Sequence, residues 1–187
     1  MIFLLAIVIG TLIGYLMKGS IKNLPFLVLQ AAYLLLIFLL IDIFFNRFFT
    51  YFFSPYNRLL IMILLVIQYG SMFALVICNK NRWPLWLIGG GEFLNFVVII
   101  ANGGRMPVYI SDPSKESRFE QLRTGQIPHY MLMDETTIFT FLGDRIPIKV
   151  FAESLLSIGD IVIWFGLVFL MLHAMKTQQK NNSSIAG

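Results

Sequence analysis

Cysteine, histidine and charge are all scarce in this chain of 187 residues, and each scarcity closes off a class of function. The one cysteine, Cys78, sits in an apolar run, so an internal disulfide and a Cys-x-x-Cys metal or redox pair are excluded. Two histidines, His129 and His173, cannot build a familiar zinc cluster without carboxylate help, and neither HExxH nor a calcium-loop spacing occurs. No metal and no cofactor is therefore expected. Charged residues make up 13% of the chain, against about 25% in soluble domains. The basic ones are scattered rather than gathered on a readable face, which argues against nucleic acid as a partner. No Gly-x-Ser-x-Gly elbow surrounds Ser157, which reads as a small residue at a helix interface.

What fills the chain instead is apolar: 58% of it is hydrophobic and the mean hydropathy is +0.78. This is a membrane composition. The rule of about 20 apolar residues per crossing predicts an all-α, polytopic bundle of five spans. They are Ile2–Met17, Phe26–Phe45, Leu59–Cys78, Leu85–Ala101 and Ser154–Met175, so residues 1–101 hold four and residues 154–175 the fifth. The first run has no positive segment before it and no small-x-small cleavage site, and reads as a retained span. Residues 102–153 form one long polar loop, and the polar tail 176–187 reads as disordered.

The basic residues set a direction. Lys18, Lys22, Lys80, Arg82, Lys176 and Lys180 share one side, against Arg47 and Arg58 in the short loop opposite. The rule that short cytoplasmic loops are basic places the N-terminus outside, the C-terminus in the cytoplasm and the long loop outside the cytoplasm. Within that loop Asp112, Pro113 and Gly125 have the cap, first-turn and stop positions of a short helix near residues 113–124. Asp134-Glu135-Thr136-Thr137 reads as a further cap or turn.

Glycine marks two close approaches. Gly10 and Gly14 in the first span form a GxxxG face, open to packing within the chain or to a homodimer. Gly89-Gly90-Gly91 in the fourth span either admits a neighbouring backbone or breaks the helix beside a cavity.

Ionisable residues within spans are costly and default to pairing or function. There are three: Asp42, Glu92 and Asp160. Asp42 lies near the outer end of span two. With the helical rise, Asn95 sits about 10 Å and Glu92 about 15 Å below Asn102, and Asp160 about 9 Å into span five. Glu92, Asn95, Ile99 and Asn102 share one helix face, as do Ser154, Ser157, Asp160 and Trp164. The three acids thus converge in the outer half of the bundle. Arg105 follows two glycines and precedes Pro107, a sharp turn that could fold its guanidinium back onto Asp160 or Asp42, or hold a phosphate or carboxylate. The candidate ligand-binding residues are Arg105, Asn102, Asn95, Glu92, Asp42, Asp160 and Asp144; His129 and Asp160 are the catalytic candidates.

The ordered set Asn102-Gly103-Gly104-Arg105-Met106-Pro107-Val108, His129, Leu132-Met133-Asp134, Thr136-Thr137, Leu142-Gly143-Asp144-Arg145-Ile146-Pro147 and Ser157-Ile158-Gly159-Asp160 resembles the DUF5317 family of small multi-pass membrane proteins of bacteria. The resemblance implies a bacterial cytoplasmic-membrane protein and supplies no activity. Three readings follow from the residues. The first is a membrane protein that binds or transports a small or lipid-linked anion through Arg105. The second is an intramembrane transferase or hydrolase acting on a lipid-linked substrate. The third is a non-catalytic scaffold or assembly subunit in which the charges only fix helices.

Overall fold

Apolar runs of the right length become helices. The computed structural model describes residues 2–26, 29–52, 58–111, 119–124, 127, 129–149 and 153–185. Six α-helices are present among them: α1 (Ile2–Leu16), α2 (Tyr33–Phe52), α3 (Arg58–Cys78), α4 (Pro84–Ala101), α5 (Phe119–Arg123) and α6 (Ile158–Ile185). Leu59–Cys78, Pro84–Ala101 and Ile158–Lys176 are long and apolar enough to cross a membrane, while Ile2–Leu16 and Tyr33–Phe44 are shorter apolar helices.

Two helix starts differ from the sequence reading, each for a local reason. Ile21–Phe26 winds as a 3-10 helix and α2 begins only at Tyr33. Pro25 has no backbone N–H for a helical ladder, and Ala31 takes a left-handed φ of 55° that a continuous helix forbids. Ser154 belongs to a strand, and α6 begins at Ile158. Asp160 therefore stands in the first turn of its helix rather than a third of the way down. The same helix runs on to Ile185, where composition suggested a disordered tail.

Glycine sets how closely the helices approach. A Cβ on Gly91 of α4 would lie 2.5 Å from the Gly159 carbonyl oxygen of α6, so backbones touch at this crossing. The triple glycine thus stays inside an unbroken α4 and serves packing, not a break. On the opposite flank of α6, a Cβ on Gly10 of α1 would meet the Val168 carbonyl oxygen at 2.8 Å, and Gly14 is filled by Met175. The GxxxG face packs within the chain against α6. Met72, Leu75, Val76, Leu85, Ile88 and Ile163 form the apolar centre where α3, α4 and α6 meet.

The long polar segment is not a loop but a small mixed structure, so the fold is helical with a β cap rather than all-α. β1 (Met106–Val108) pairs in parallel with β2 (Tyr130–Leu132), and β3 (Ile146–Lys149) pairs antiparallel with β4 (Glu153–Leu156). The other edge of β1 is also paired, through Asp144 N–H to Pro107 O at 2.9 Å and Tyr109 N–H to Asp144 O at 2.8 Å. Buried Val98, Met106 and Leu142 seat this cap on α4. The short helix α5 lies within the stretch expected to be helical; Asp112, Pro113 and Gly125 lie outside the described residues. The Asp134 turn forms as expected: its carboxylate accepts from Thr136 N–H, Thr136 Oγ1 and Thr137 Oγ1, which holds the carboxyl below its ordinary pKa.

Two asparagines tie distant segments to helix ends in the same way. Asn102 donates from Nδ2 to Val98 O and to Ile138 O, and its Oδ1 accepts from Ile138 N–H. Asn79 donates to Leu75 O and Gln30 O and accepts from Gln30 N–H. In both cases the amide mimics a peptide unit and closes a helix C-terminus.

The α4–α6 crossing gives a direct test. Gly159→Ala places a methyl against Asn95 and should destabilise by about 1–3 kcal/mol, as overpacking does. Gly90→Ala, with nothing within 4 Å of the new methyl, should be neutral or stabilising. Thermal unfolding of the purified proteins in detergent measures both; equal shifts would contradict the close crossing.

Candidate functional site

The site is built where the start of α6 meets the middle of α4. Ser157 precedes the helix and Asp160 is three residues on, the spacing of a capping box. The bonds are reciprocal: Asp160 N–H donates to Ser157 Oγ at 2.9 Å, and Ser157 N–H donates to Asp160 Oδ2 at 3.0 Å. Asn95 closes the ring from α4. Ser157 Oγ–H donates to Asn95 Oδ1 at 2.8 Å, and Asn95 Nδ2 donates to Asp160 Oδ1 at 3.0 Å. Ser157 is fully buried and its one proton is committed, so it is an anchor and not a nucleophile. Gly159 makes the ring possible, since a Cβ there would overlap Asn95.

Beside this ring lies a cavity of about 450 Å³. Its polar wall comes from Asp42 on α2, Gln68 and Tyr69 on α3, and Glu92 and Asn95 on α4. Asp160 on α6 adds to it, and the β cap contributes His129, Tyr130 and Asp144 as a roof. The acids converge as the sequence suggested. Four carboxyl-bearing residues line the space, and among the described lining residues none is Lys or Arg.

Three of these side chains make no hydrogen bond to a described residue and face the cavity: Gln68, Tyr69 and Glu92. They are 4%, 7% and 9% exposed, so each is more than nine-tenths buried. Buried polar groups in native proteins are nearly always paired with protein or water, and exceptions want an explanation. All three face one cavity, and Tyr69 is held there by Phe38 and Phe96, at ring separations of 6.0 and 5.2 Å. His129 joins them from the roof. Its ring stacks on Tyr130 at 4.6 Å, and Nδ1 is buried without a hydrogen-bond partner among the described residues. Burial lowers its pKa below 6.5, so the imidazole is neutral at pH 7.

Arg105 is elsewhere. The helix ends as the two glycines require, with Gly103 and Gly104 at φ of 71° and 86°, and Gly104 N–H donates to Ile99 O at 2.9 Å. Met106 then turns inward to the cavity and the core, so the preceding side chain points the opposite way. Arg105 is exposed, does not line the cavity, and makes no ion pair among the described residues. Neither Asp160 nor Asp42 is its partner. Asn102 is likewise absorbed by its clamp on Ile138, leaving no donor for a ligand. Of the sequence candidates, Asn95, Glu92, Asp42, Asp160, Asp144 and His129 come together, and Arg105 and Asn102 do not.

Gln68 and Tyr69 of α3 and Tyr130 of β2 are not among the sequence candidates. The signal was present: Gln68-Tyr69 is a polar pair inside the apolar run of α3.

The family model described as a family of unknown function, DUF5317, matches residues 26–172. The chain belongs to this family. The resemblance read from the Asn-Gly-Gly-Arg-Met-Pro and later motifs is thereby borne out, and the match takes in every polar residue of the cavity wall. No curated protein and no solved structure matches the chain. The DUF5317 region thus contains the hydrogen-bonded ring and the polar wall of the cavity, while α1, which adds Phe3 to the lining, lies before it.

Two measurements follow. Ser157→Ala removes the helix cap and leaves Asn95 Oδ1 without its donor, a loss of about 2 kcal/mol; an unchanged unfolding temperature would contradict the ring. For His129, the unfolded chain binds its proton at higher pH than the folded one. Its contribution is present above 6.5 and is lost as pH falls below that value. His129→Phe should flatten the fall in thermal stability below pH 6.5, measured across a pH series.

Proposed function

We propose that this is a five-span membrane protein that binds a small organic cation, an ammonium group, in the cavity between α2, α3, α4 and α6. The observation that carries the reading is Glu92: a carboxyl 9% exposed, without a hydrogen bond among the described residues, facing a cavity with other acids and no Lys or Arg among its described lining residues. A cation would satisfy Glu92 by charge, and the Gln68 carbonyl dipole would face it. The faces of Phe38 and Tyr69 would add cation–π attraction. The volume, about 450 Å³, falls in the range of small-molecule pockets. Among the described residues no three His, Cys, Asp or Glu groups are placed to hold a metal ion, which favours an organic cation over an inorganic one. The anion expected from Arg105 has no counter-charge in this space.

The orientation with the β cap outside the cytoplasm is supported by how the opposite end assembles. Ser20 N–H and Asn23 Nδ2 both donate to Met175 O, and Gln30 is clamped by Asn79. These contacts gather Lys18, Lys22, Lys80, Arg82 and Lys176 at one end of the bundle, as a cytoplasmic face requires. A scaffold reading leaves three buried polar groups unexplained.

The test is saturable binding of radiolabelled tetramethylammonium to protein in lipid nanodiscs. Glu92→Gln should weaken it at least tenfold, about 1.4 kcal/mol. The same variant should unfold at a higher temperature than wild type when no ligand is present, because an unpaired buried carboxyl is removed. Arg105→Ala should leave affinity unchanged. Equal affinity in wild type and folded Glu92→Gln, or lowered stability of Glu92→Gln without ligand, would overturn the assignment.

A further inference from the structure

The shape of the cavity says more about the ligand than its charge does, given the cation reading above on which this step rests. α1 packs against α6 and α2 packs against α3, so these two helices sit on opposite flanks and are not a packed pair like the others. The cavity lies between them. Phe3 of α1 and Leu35 and Leu39 of α2 line it; Phe3 and Leu39 are 37% and 46% exposed, and Asp42, one further lining residue of α2, is exposed as well. A residue that both lines a cavity and faces outward stands at its mouth.

That mouth opens onto an apolar surface. Leu36, Leu40 and Ile43 of α2 are 59%, 58% and 57% exposed, and Leu4 and Val8 of α1 are 63% and 47% exposed. In a membrane these side chains face hydrocarbon. On the aqueous side the cavity is roofed by Met106, His129 and Tyr130 of the β cap. The β cap thus roofs the polar interior, and the apolar edge at Phe3, Leu35 and Leu39 faces sideways, with Glu92, Gln68 and Tyr69 at its back.

We infer that the cavity takes the ammonium headgroup of an amphipathic molecule from within the bilayer. The ammonium group sits against Glu92 and the hydrocarbon tail leaves between α1 and α2. Such a molecule meets each surface with its own kind: charge against carboxyl, aromatic faces around the headgroup, and aliphatic chain along Phe3, Leu35 and Leu39. A cation without a tail, such as tetramethylammonium, gains only the contacts of the headgroup, whereas an amphiphile also keeps its chain in apolar surroundings along this opening.

A dodecyl trimethylammonium probe with a diazirine at the far end of its tail tests this directly. The probe is photolysed with the protein in nanodiscs, and labelled residues are identified by mass spectrometry with and without excess unlabelled dodecyl trimethylammonium. Labelling that the competitor removes should fall on Phe3, Leu35, Leu39 and their lipid-facing neighbours, and should drop at least tenfold in Glu92→Gln. Competed labelling on β1 or β2 instead would show that the tail leaves through the cap and would overturn the lateral opening. Absence of competed labelling while tetramethylammonium still binds would overturn the amphipathic ligand alone. Absence of both would remove the cation reading with it. Equal competition by dodecyl sulfate would mean that the chain and not the charge is held, and would also overturn the proposal.

Discussion

The α4–α6 side of the cavity depends on one ring of hydrogen bonds, Ser157–Asn95–Asp160. It begins α6, fixes that beginning against α4, and sets the depth at which Glu92 is presented one helical turn below Asn95. In water such bonds would contribute modestly, because solvent competes for each partner. Where three helices meet with Ser157 fully buried, losing one member strands the others, and that asymmetry is what makes the ring decisive. Backbone contact at Gly91 and Gly159 is its precondition: with side chains there, Asn95 could not reach across.

The same region contains opposite solutions to one problem. Buried polar groups must be satisfied, and Asn95, Ser157 and Asp160 bond one another in a closed ring. In the same cavity wall Gln68, Tyr69 and Glu92 make no hydrogen bond to a described residue. A chain able to build the first arrangement was able to close the second as well. That contrast between neighbours, rather than the presence of acids as such, separates the part of the bundle that holds itself together from the part that faces something else.

Much of this was legible in the sequence, and the failures have physical causes. Helices α3 and α4 appear within one residue of where apolar length put them, because nothing competes with that signal. The starts of α2 and α6 were misplaced because apolar residues also suit a 3-10 turn and a strand, and length alone does not tell Leu155-Leu156 in β4 from a first helical turn. The Ser157-x-x-Asp160 capping box was in plain view, but reading both residues as one stripe of a longer helix hid it. Convergence of Asp42, Glu92, Asn95 and Asp160 followed from helix direction and depth, quantities that sequence carries well. The direction of Arg105 did not, because it depends on Met106 entering the core, a matter of strand pairing with residues more than twenty positions away.

Asn102 is followed by Gly103, the pair in which an asparagine most readily cyclises through the next backbone nitrogen and loses its amide. Here that chemistry meets a locked geometry. Gly103 N–H is engaged with Ile100 O, and the Asn102 amide is held from both sides by Val98 and Ile138. The attacking nitrogen and its target are thus kept apart for as long as the clamp is closed. Opening it would begin a chemical clock, since the aspartate formed could no longer donate to either carbonyl. The attachment of the β cap to α4 is in this sense also a record of age: intact while folded, and irreversibly weakened by time spent open.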